Sequence, residues 1–258
     1  MQWDLNFNLT YQKNTIVKLA PELNGEWING SYYWKEGESM YNLYLVKYAG
    51  VNPDTGLPLY WAKNAAGEEF TTENWNLAYS GNTATGDQAN RCPTGNMLPP
   101  VYGGFGTTVT FFGFDISAQF GYQLGGKIWD YGYQQLMHNG TKTGQAFHAD
   151  VANAWTENNR NTDIPRRDYV YTYMNSSSDR WLTSAKYFSI NNITVGYNFP
   201  EKWIKKCGLK SLRIYGAADN VALWSARKGL DPRQSFVESY ASNYSAMRLI
   251  SGGVKLTF

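Results

Sequence analysis

The stretch GTTVTFFGFDISAQFGYQLGG, residues 106–126, alternates between apolar and polar side chains. In its second half, the apolar side consists of Phe114, Ile116, Ala118, Phe120 and Tyr122. The polar side consists of Asp115, Ser117, Gln119, Gly121 and Gln123. A period of two is typical of a β-strand with one apolar and one polar face. Gly113 interrupts the pattern after Phe112, which predicts a very tight hairpin between two strands.

The same alternation recurs along the chain. The N-terminal segment has roughly the ~9–11 residues that a tilted strand needs to cross a bilayer. Its apolar side carries Trp3, Leu5, Phe7, Leu9 and Tyr11. Further alternating segments lie at 192–199, before Pro200, and at 211–219, and a last one runs from about Ala246 to Phe258. The pattern therefore predicts about six long strands.

Composition supports an all-β chain with large polar loops. The 258 residues are 16% aromatic and 17% charged, whereas globular chains carry about a quarter charged residues. The net charge of +2 gives little support to a nucleic-acid partner. Cys92 and Cys207 are far apart, which favours two unpaired thiols over a single disulfide. No apolar run approaches the ~20 residues of a membrane helix, so a membrane interpretation depends on strands.

Connections between the predicted strands are sorted by length. Short ones lie near Gly113 and at about 200–208, and long ones at about 14–100, 127–186 and 221–245. Outer-membrane barrels have tight periplasmic turns and long extracellular loops. We therefore predict an antiparallel transmembrane β-barrel segment whose long loops contain minor helix, including a short one in 147–159. The alternative is a soluble β-sandwich, whose strands also have one apolar face.

Three stretches carry a family resemblance. They are PPVYGGFGTTVTFFGFDISAQFGYQLGGKIWD (99–130), DRWLTSAKYFSINNITVGYNFP (179–200) and LRIYGAADNVALWSARKGLDPR (212–233). In this order they resemble successive strands and loops of SusC-type TonB-dependent transporters, large outer-membrane proteins of Bacteroidota. The N-terminal FNLTYQKNTIVKL also fits the family's pattern.

The resemblance implies that residues 1–258 form the C-terminal part of a receptor barrel of about 22 strands. A signal peptide, a TonB box and a plug domain are expected to be absent from this chain, and roughly six strands cannot close a barrel. The full protein is expected to import oligosaccharides or peptides, driven through TonB, beneath a SusD-type surface lipoprotein. A non-enzyme without a cofactor is expected. The alternative is a secreted β-sandwich that binds carbohydrate.

Three groups of site residues follow from the strand pattern and the resemblance. Barrels of this kind end their last strand on an aromatic residue that the outer-membrane assembly machinery recognises. The resemblance therefore implies an assembly signal at Val254, Leu256 and Phe258, which have the matching alternation. The polar sides predict a lumen lining that includes Asp4, Asn6, Asn8, Asp115, Gln119, Arg213 and Asp219. Aromatic residues in or near loops are candidates for glycan contact, or else pack the loops or sit in the interfacial aromatic belt. They are Trp61, Trp75, Trp129, Trp155 and Trp224.

Catalysis and metal binding have little support. His138 and His148 lie ten residues apart in a polar region, without neighbouring cysteines, so we expect surface histidines rather than zinc ligands. Carboxylates are scattered over the loops, and no pair of the kind used by glycosidases can be assigned.

Overall fold

The computed structural model describes residues 1–234 and 244–258. Six long strands form one antiparallel sheet in chain order. They are β1 (Gln2–Tyr11), β2 (Val101–Phe111), β3 (Phe114–Leu124), β4 (Tyr187–Asn198), β5 (Ser211–Ser225) and β6 (Leu249–Thr257). Each pairs with its sequence neighbours, and β1 and β6 are the two edge strands. The predicted all-β, antiparallel class and the six strands are confirmed.

The hairpin between β2 and β3 turns on two residues, as predicted. Phe111 pairs with Phe114 across the turn, and both Phe112 and Gly113 have positive φ angles, 47° and 89°. This is the geometry of a type I′ turn, which matches the twist of the flanking strands. A Cβ at Gly113 would lie 2.8 Å from the carbonyl oxygen of Asn198, so this turn position requires glycine.

The second short connection follows β4, which ends at Asn198 because Pro200 cannot continue the ladder. A single helical turn, Glu201–Ile204, and a 3-10 turn, Lys205–Cys207, lead to Gly208. Gly208 has a φ of 75°, and β5 begins at Ser211. Both short connections therefore lie at the same end of the sheet.

One face of the sheet is apolar, and no other element among the described residues covers it. Phe105 stacks on Phe120 with ring centroids 4.4 Å apart, and Phe7 stacks on Tyr122 at 6.2 Å. Phe7 nevertheless stays 64% exposed and Val254 60% exposed. A soluble sandwich would cover such a face with a second sheet. The sandwich alternative is therefore wrong, and the face has the character of a lipid-facing surface.

Three long loops leave the opposite end of the sheet, at residues 12–100, at 125–186 and from 226 onward; of the third, 226–234 and 244–248 are described. The third was predicted to begin near Val221, which is wrong because β5 continues to Ser225. The first loop contains a four-stranded sheet and a three-stranded sheet. Their strands are Glu26–Asn29, Tyr32–Lys35, Asn42–Val46 and Arg91–Asn96, and Tyr48–Val51, Pro58–Lys63 and Glu69–Thr72.

The loops also hold short helices and a small ladder. The α-helices are Trp75–Ser80 and Tyr131–Leu136, and the 3-10 turns are Pro21–Leu23, Ala149–Asn153 and Asp179–Trp181. Strands Lys127–Trp129 and Leu182–Ser184 pair within the second loop. The helix predicted within 147–159 is therefore shortened to one 3-10 turn.

The hydrophobic core lies in the loops rather than in the sheet. Val46, Tyr60, Ala62 and Ala78 form one buried cluster, and Leu43, Leu45 and Met97 form a second. Among the described residues, none of the buried apolar side chains belongs to β1–β6. The six strands are thus inside-out relative to a water-soluble domain, in which sheets bury their apolar face.

Candidate functional site

The polar face of the sheet collects all seven residues that the sequence assigned to it. The ladder places them on the side opposite Phe7 and Phe120. One transverse row runs Asn6, Gly106, Gln119, Asn192 and Asp219. Asp4, Asn8, Asp115 and Arg213 occupy other rows of the same face. That this face lines a lumen stays a prediction.

A carboxylate–guanidinium pair crosses the polar face near its short-turn end. The Nε of Arg213 donates to Oδ2 of Asp115 at 3.0 Å, and the Nη2 donates to Oδ1. Asn198 adds a bond to Oδ2 at 2.8 Å. Gly196 lies between the partners, where a Cβ would stand 2.5 Å from Arg213 Nη2. The glycine therefore leaves the space that allows a bidentate pair to span three strands.

A second polar cluster lies closer to the loops. The Nδ2 of Asn192 donates to Oδ1 of Asp219 at 2.7 Å, and Thr194 donates to Asn192 at 3.0 Å. The face therefore presents amides, carboxylates and hydroxyls, which can bond to sugar hydroxyls or peptide groups.

Tyr215 lies flat over the last strand on the same face. A Cβ added at Gly253 would meet its ring atoms at 2.5 Å. A Cβ at the neighbouring Gly252 would come no closer than 3.7 Å to the Tyr215 backbone oxygen. A side chain at position 253 would therefore overlap the Tyr215 ring, whereas a methyl group at position 252 would fit without overlap.

The first and second long loops pack into one assembly. The indole of Trp75 donates to Ser177 O at 2.8 Å, and the hydroxyl of Tyr60 donates to Tyr173 O at 2.7 Å. Asp179 accepts from the backbone N–H of Tyr48 at 2.8 Å. Burial raises the pKa of Tyr48 to about 12 and also raises the pKa of Asp179. These contacts fix the two loops against each other.

The third loop is joined to the second by a buried ion pair. The guanidinium of Arg227 donates to both oxygens of Asp130, at 2.7 and 2.9 Å, and Asp130 is only 3% exposed. Leu230 packs beside them with Ile128 and Ala185. The pair joins residues 97 positions apart, and no local sequence signal predicts it.

A further ion pair shapes the second loop. Arg166 Nη2 lies 2.7 Å from Asp168 Oδ2, and its Nη1 donates to Thr55 O at 2.8 Å. Hydrogen bonds from Arg166 and from the backbone of Val170 and Tyr171 hold the pKa of the Asp168 carboxyl below its usual range.

The five candidate tryptophans are dispersed. Trp75 and Trp155 bond across loops, the latter to Pro53 O at 3.1 Å, and Trp61 is half-buried in strand Pro58–Lys63. Trp224 does not lie in a loop. It is 55% exposed on the apolar face of β5, 5.8 Å from the ring of Phe188. The structure therefore separates Trp224 from the loop aromatics.

Trp129 is a candidate for contact with a solute. It lines an open cavity of about 330 Å³ with Tyr32, Tyr131, Gln134 and Ser177. Its indole donates to Gln134 Oε1 at 2.8 Å. Rings and an amide at one opening can contact a sugar ring or a peptide side chain. Tyr32 and Tyr131 were missed from sequence because aromatics are common throughout these loops.

The residues of the predicted assembly signal lie on the edge strand. Val254 and Leu256 pair with Ile214 and Leu212, place their side chains on the apolar face and are exposed. Phe258 follows the strand and is 77% exposed. Their role in assembly stays a prediction.

The remaining candidates differ from expectation in one case. Cys92 is half-buried and Cys207 exposed, and both are free, as predicted. His148 is half-buried, but His138 is not a surface histidine: it is 3% exposed and stacks on Phe147 at 4.2 Å. Within residues 1–234 and 244–258, no group of side chains could hold a metal ion. In the same ranges, the helices are all too short or too polar to span a membrane.

Known proteins resemble this chain over nearly its whole length. TonB-dependent receptor P3 of Formosa agariphila is 27% identical over 248 residues, which is 91% of this chain and 23% of that protein. TonB-dependent receptor P39 of the same organism is 26% identical over 269 residues, 89% of this chain and 25% of that protein. The resemblance to TonB-dependent receptors is confirmed. No protein-family model matches the chain.

The fold of the chain also matches solved structures. The structure of the RagAB peptide transporter aligns with a TM-score of 0.76 at 23% identity, covering 99% of this chain and 27% of that one. The RagAB importer in the open-open state aligns with a TM-score of 0.73 at 22% identity, again over 99% and 27%. The barrel-segment fold is therefore confirmed. The chain spans about a quarter of the length of these relatives.

Proposed function

We propose that residues 1–258 are the C-terminal part of the β-barrel of an outer-membrane TonB-dependent importer. The observation that carries the proposal is the inside-out sheet: its apolar face is uncovered, while the buried apolar side chains lie in the loops. A lipid-facing sheet has this distribution. The relatives are named receptors and transporters rather than enzymes, which supports a non-catalytic role.

The polar face lines the lumen and the three long loops face outward. The seven polar-face residues then meet the plug or the solute, and the short turns at Gly113 and Pro200 face the periplasm. TonB engages a part of the full protein outside this chain. A SusD-type surface lipoprotein covers the loop assembly from above. RagAB, which shares the fold, is described as a peptide transporter.

The solute is an oligosaccharide or a peptide, and the cavity at Trp129 is one place where the loops contact it. The test is uptake of labelled oligosaccharides and peptides by cells that carry or lack the full-length protein. We expect uptake that requires the protein and stops when the proton-motive force is collapsed. Uptake that is identical in cells lacking the protein, for both solute classes, would refute the proposal.

A matched pair of variants localises the contact. Trp129→Ala removes a ring from the cavity and is expected to weaken solute binding by the full-length protein. Trp203→Ala removes a ring of the same size from the short connection at the other end of the sheet and is expected to leave solute binding unchanged. Equal effects of the two substitutions would contradict the assignment of Trp129.

The assembly signal is tested in the same full-length protein. Leu256→Asp places a charge on the apolar face of β6, and Lys255→Asp changes charge on the polar face of the same strand. We expect only Leu256→Asp to reduce the amount of protein in the outer membrane, because it alters the apolar side of the predicted assembly signal, whereas Lys255 lies on the polar side. Normal assembly of Leu256→Asp would count against a role of Leu256 in that signal.

A further inference from the structure

A small cavity of about 20 Å³ lies inside the second loop, away from the sheet. Its polar lining consists of one amide, Asn139, and four basic residues: His138, Arg166, Arg167 and Arg180. Met137 and Met174 are among the apolar residues around it. Of the described residues that line the cavity, none carries a carboxylate. Such a concentration of donors and positive charge favours an anion.

His138 supplies an N–H that has no acceptor. Its Nδ1 accepts a hydrogen bond from the backbone N–H of Gly140 at 3.2 Å, so the proton of the neutral ring lies on Nε2. Nε2 is buried and has no hydrogen-bond partner among the described residues. An unmet buried donor costs about 1–3 kcal/mol, so a native structure normally supplies a partner.

The guanidinium groups around the cavity are only partly neutralised. Arg166 is paired with Asp168. Arg167 stacks on the ring of Phe147 at 4.3 Å, and Arg180 lies over the ring of Trp181 at 4.6 Å. In the part of the chain that the structure describes, neither Arg167 nor Arg180 forms an ion pair. Two guanidinium groups without an ion pair therefore lie at one cavity, and an anion between them would reduce their mutual repulsion.

We propose that this cavity binds one monovalent anion of the size of chloride. A water molecule needs at least ~10–15 Å³ of such space, so about 20 Å³ admits a single atom-sized ligand but not a phosphate or a carboxylated solute. The anion accepts from His138 Nε2 and offsets part of the positive charge of Arg167 and Arg180. It thereby connects the segments around 137–139, 164–167 and 174–180 of the second loop.

The direct test is diffraction from crystals of the full-length protein grown in bromide, recorded at the bromine absorption edge. We expect one anomalous peak beside His138 Nε2. Density for an ordered water in the cavity without an anomalous peak would overturn the proposal, whatever the protein transports.

The second measurement is limited proteolysis of the second loop at constant ionic strength, with chloride exchanged for gluconate. Anion binding to the closed loop slows cleavage by a factor of 1 + [Cl⁻]/Kd, about elevenfold at chloride tenfold above Kd. His138→Phe keeps the ring stacked on Phe147 but removes the donor, and is expected to reduce this chloride dependence. His148→Phe, which alters the histidine outside the cavity, should retain it. Cleavage that is independent of chloride in the wild-type protein would contradict the proposal.

Discussion

The orientation of the sheet predicts that a charge at Ile193 destabilises the protein according to its depth in the membrane. Ile193 lies on the apolar face of β4, between Ala118 and Ala218 of the neighbouring strands. It precedes the strand end at Asn198 by five residues. At a rise of about 3.4 Å per residue and a tilt of about 40°, that is about 13 Å along the membrane normal. This is half of an apolar band that is about 25 Å tall.

Ile193→Arg therefore places a charge near the bilayer midplane, where it costs about 2–4 kcal/mol. Such a loss lowers the ratio of folded to unfolded protein by roughly 30- to 700-fold. Tyr197→Arg, one residue from the strand end on the same face, lies near the interface and should cost about 0–1 kcal/mol. The matched control is Thr194→Arg, because Thr194 follows Ile193 in the strand and its side chain lies on the polar face.

The assay is urea unfolding of the full-length protein in lipid vesicles, in which the midpoint reports the change in stability. We expect the order Ile193→Arg, then Tyr197→Arg, then Thr194→Arg, from the most to the least destabilised. The reasoning is refuted if Thr194→Arg destabilises the protein as much as Ile193→Arg.

Three further predictions concern the loops and the edge strand. Arg227→Met removes the ion pair of the buried Asp130 carboxylate, at about 3–5 kcal/mol, and should speed proteolysis of the third loop. Replacing Asp130 by Asn in the same variant should recover most of the protection. Gly253→Ala should destabilise the full-length protein by about 1–3 kcal/mol, since its methyl group overlaps a tyrosine ring, whereas Gly252→Ala should change little on urea unfolding. The pKa of Asp168 is lower in the folded protein than in the unfolded chain. Its contribution to stability is therefore fully present above the carboxyl's ordinary pKa and is lost as the pH falls through the pKa of the folded state. Proteolysis of the second loop should thus accelerate in acid, and Asp168→Asn should flatten that dependence.

The sheet was predictable from the sequence because its signal is local. Alternation over Trp3 to Tyr11 and over Phe114 to Tyr122 needs only a period of two. The turn at Gly113 is likewise encoded in adjacent residues, since both central positions adopt positive φ angles. The polar face follows automatically, because a strand's register fixes every side chain to one face.

The extent of β5 and the bulge in β4 were not predictable in this way. Asn220, with a φ of 50°, interrupts the alternation. The strand nevertheless continues through Val221 to Ser225. The ladder between β4 and β5 shifts register between Ile190 and Asn192. Such a shift depends on the partner strand rather than on residues near it in sequence.

Most of the packing between the loops could not be predicted from the sequence. Its core joins Tyr60 of the first loop to Tyr173 of the second, and Asp130 pairs with Arg227, 97 positions away in the chain. His138 was expected at the surface because it sits among polar residues, but tertiary packing against Phe147 buries it. Short loop strands such as Asn42–Val46 carry too few residues for a periodic signal.

The most direct test of the central claim is the size and location of the native polypeptide that contains this sequence. An antibody against residues 251–258 would be applied to fractionated cell membranes. The account predicts a band several-fold larger than 29.2 kDa in the outer-membrane fraction. A band in the soluble fraction, at whatever size, would contradict a membrane-spanning barrel segment and with it the proposed role in import.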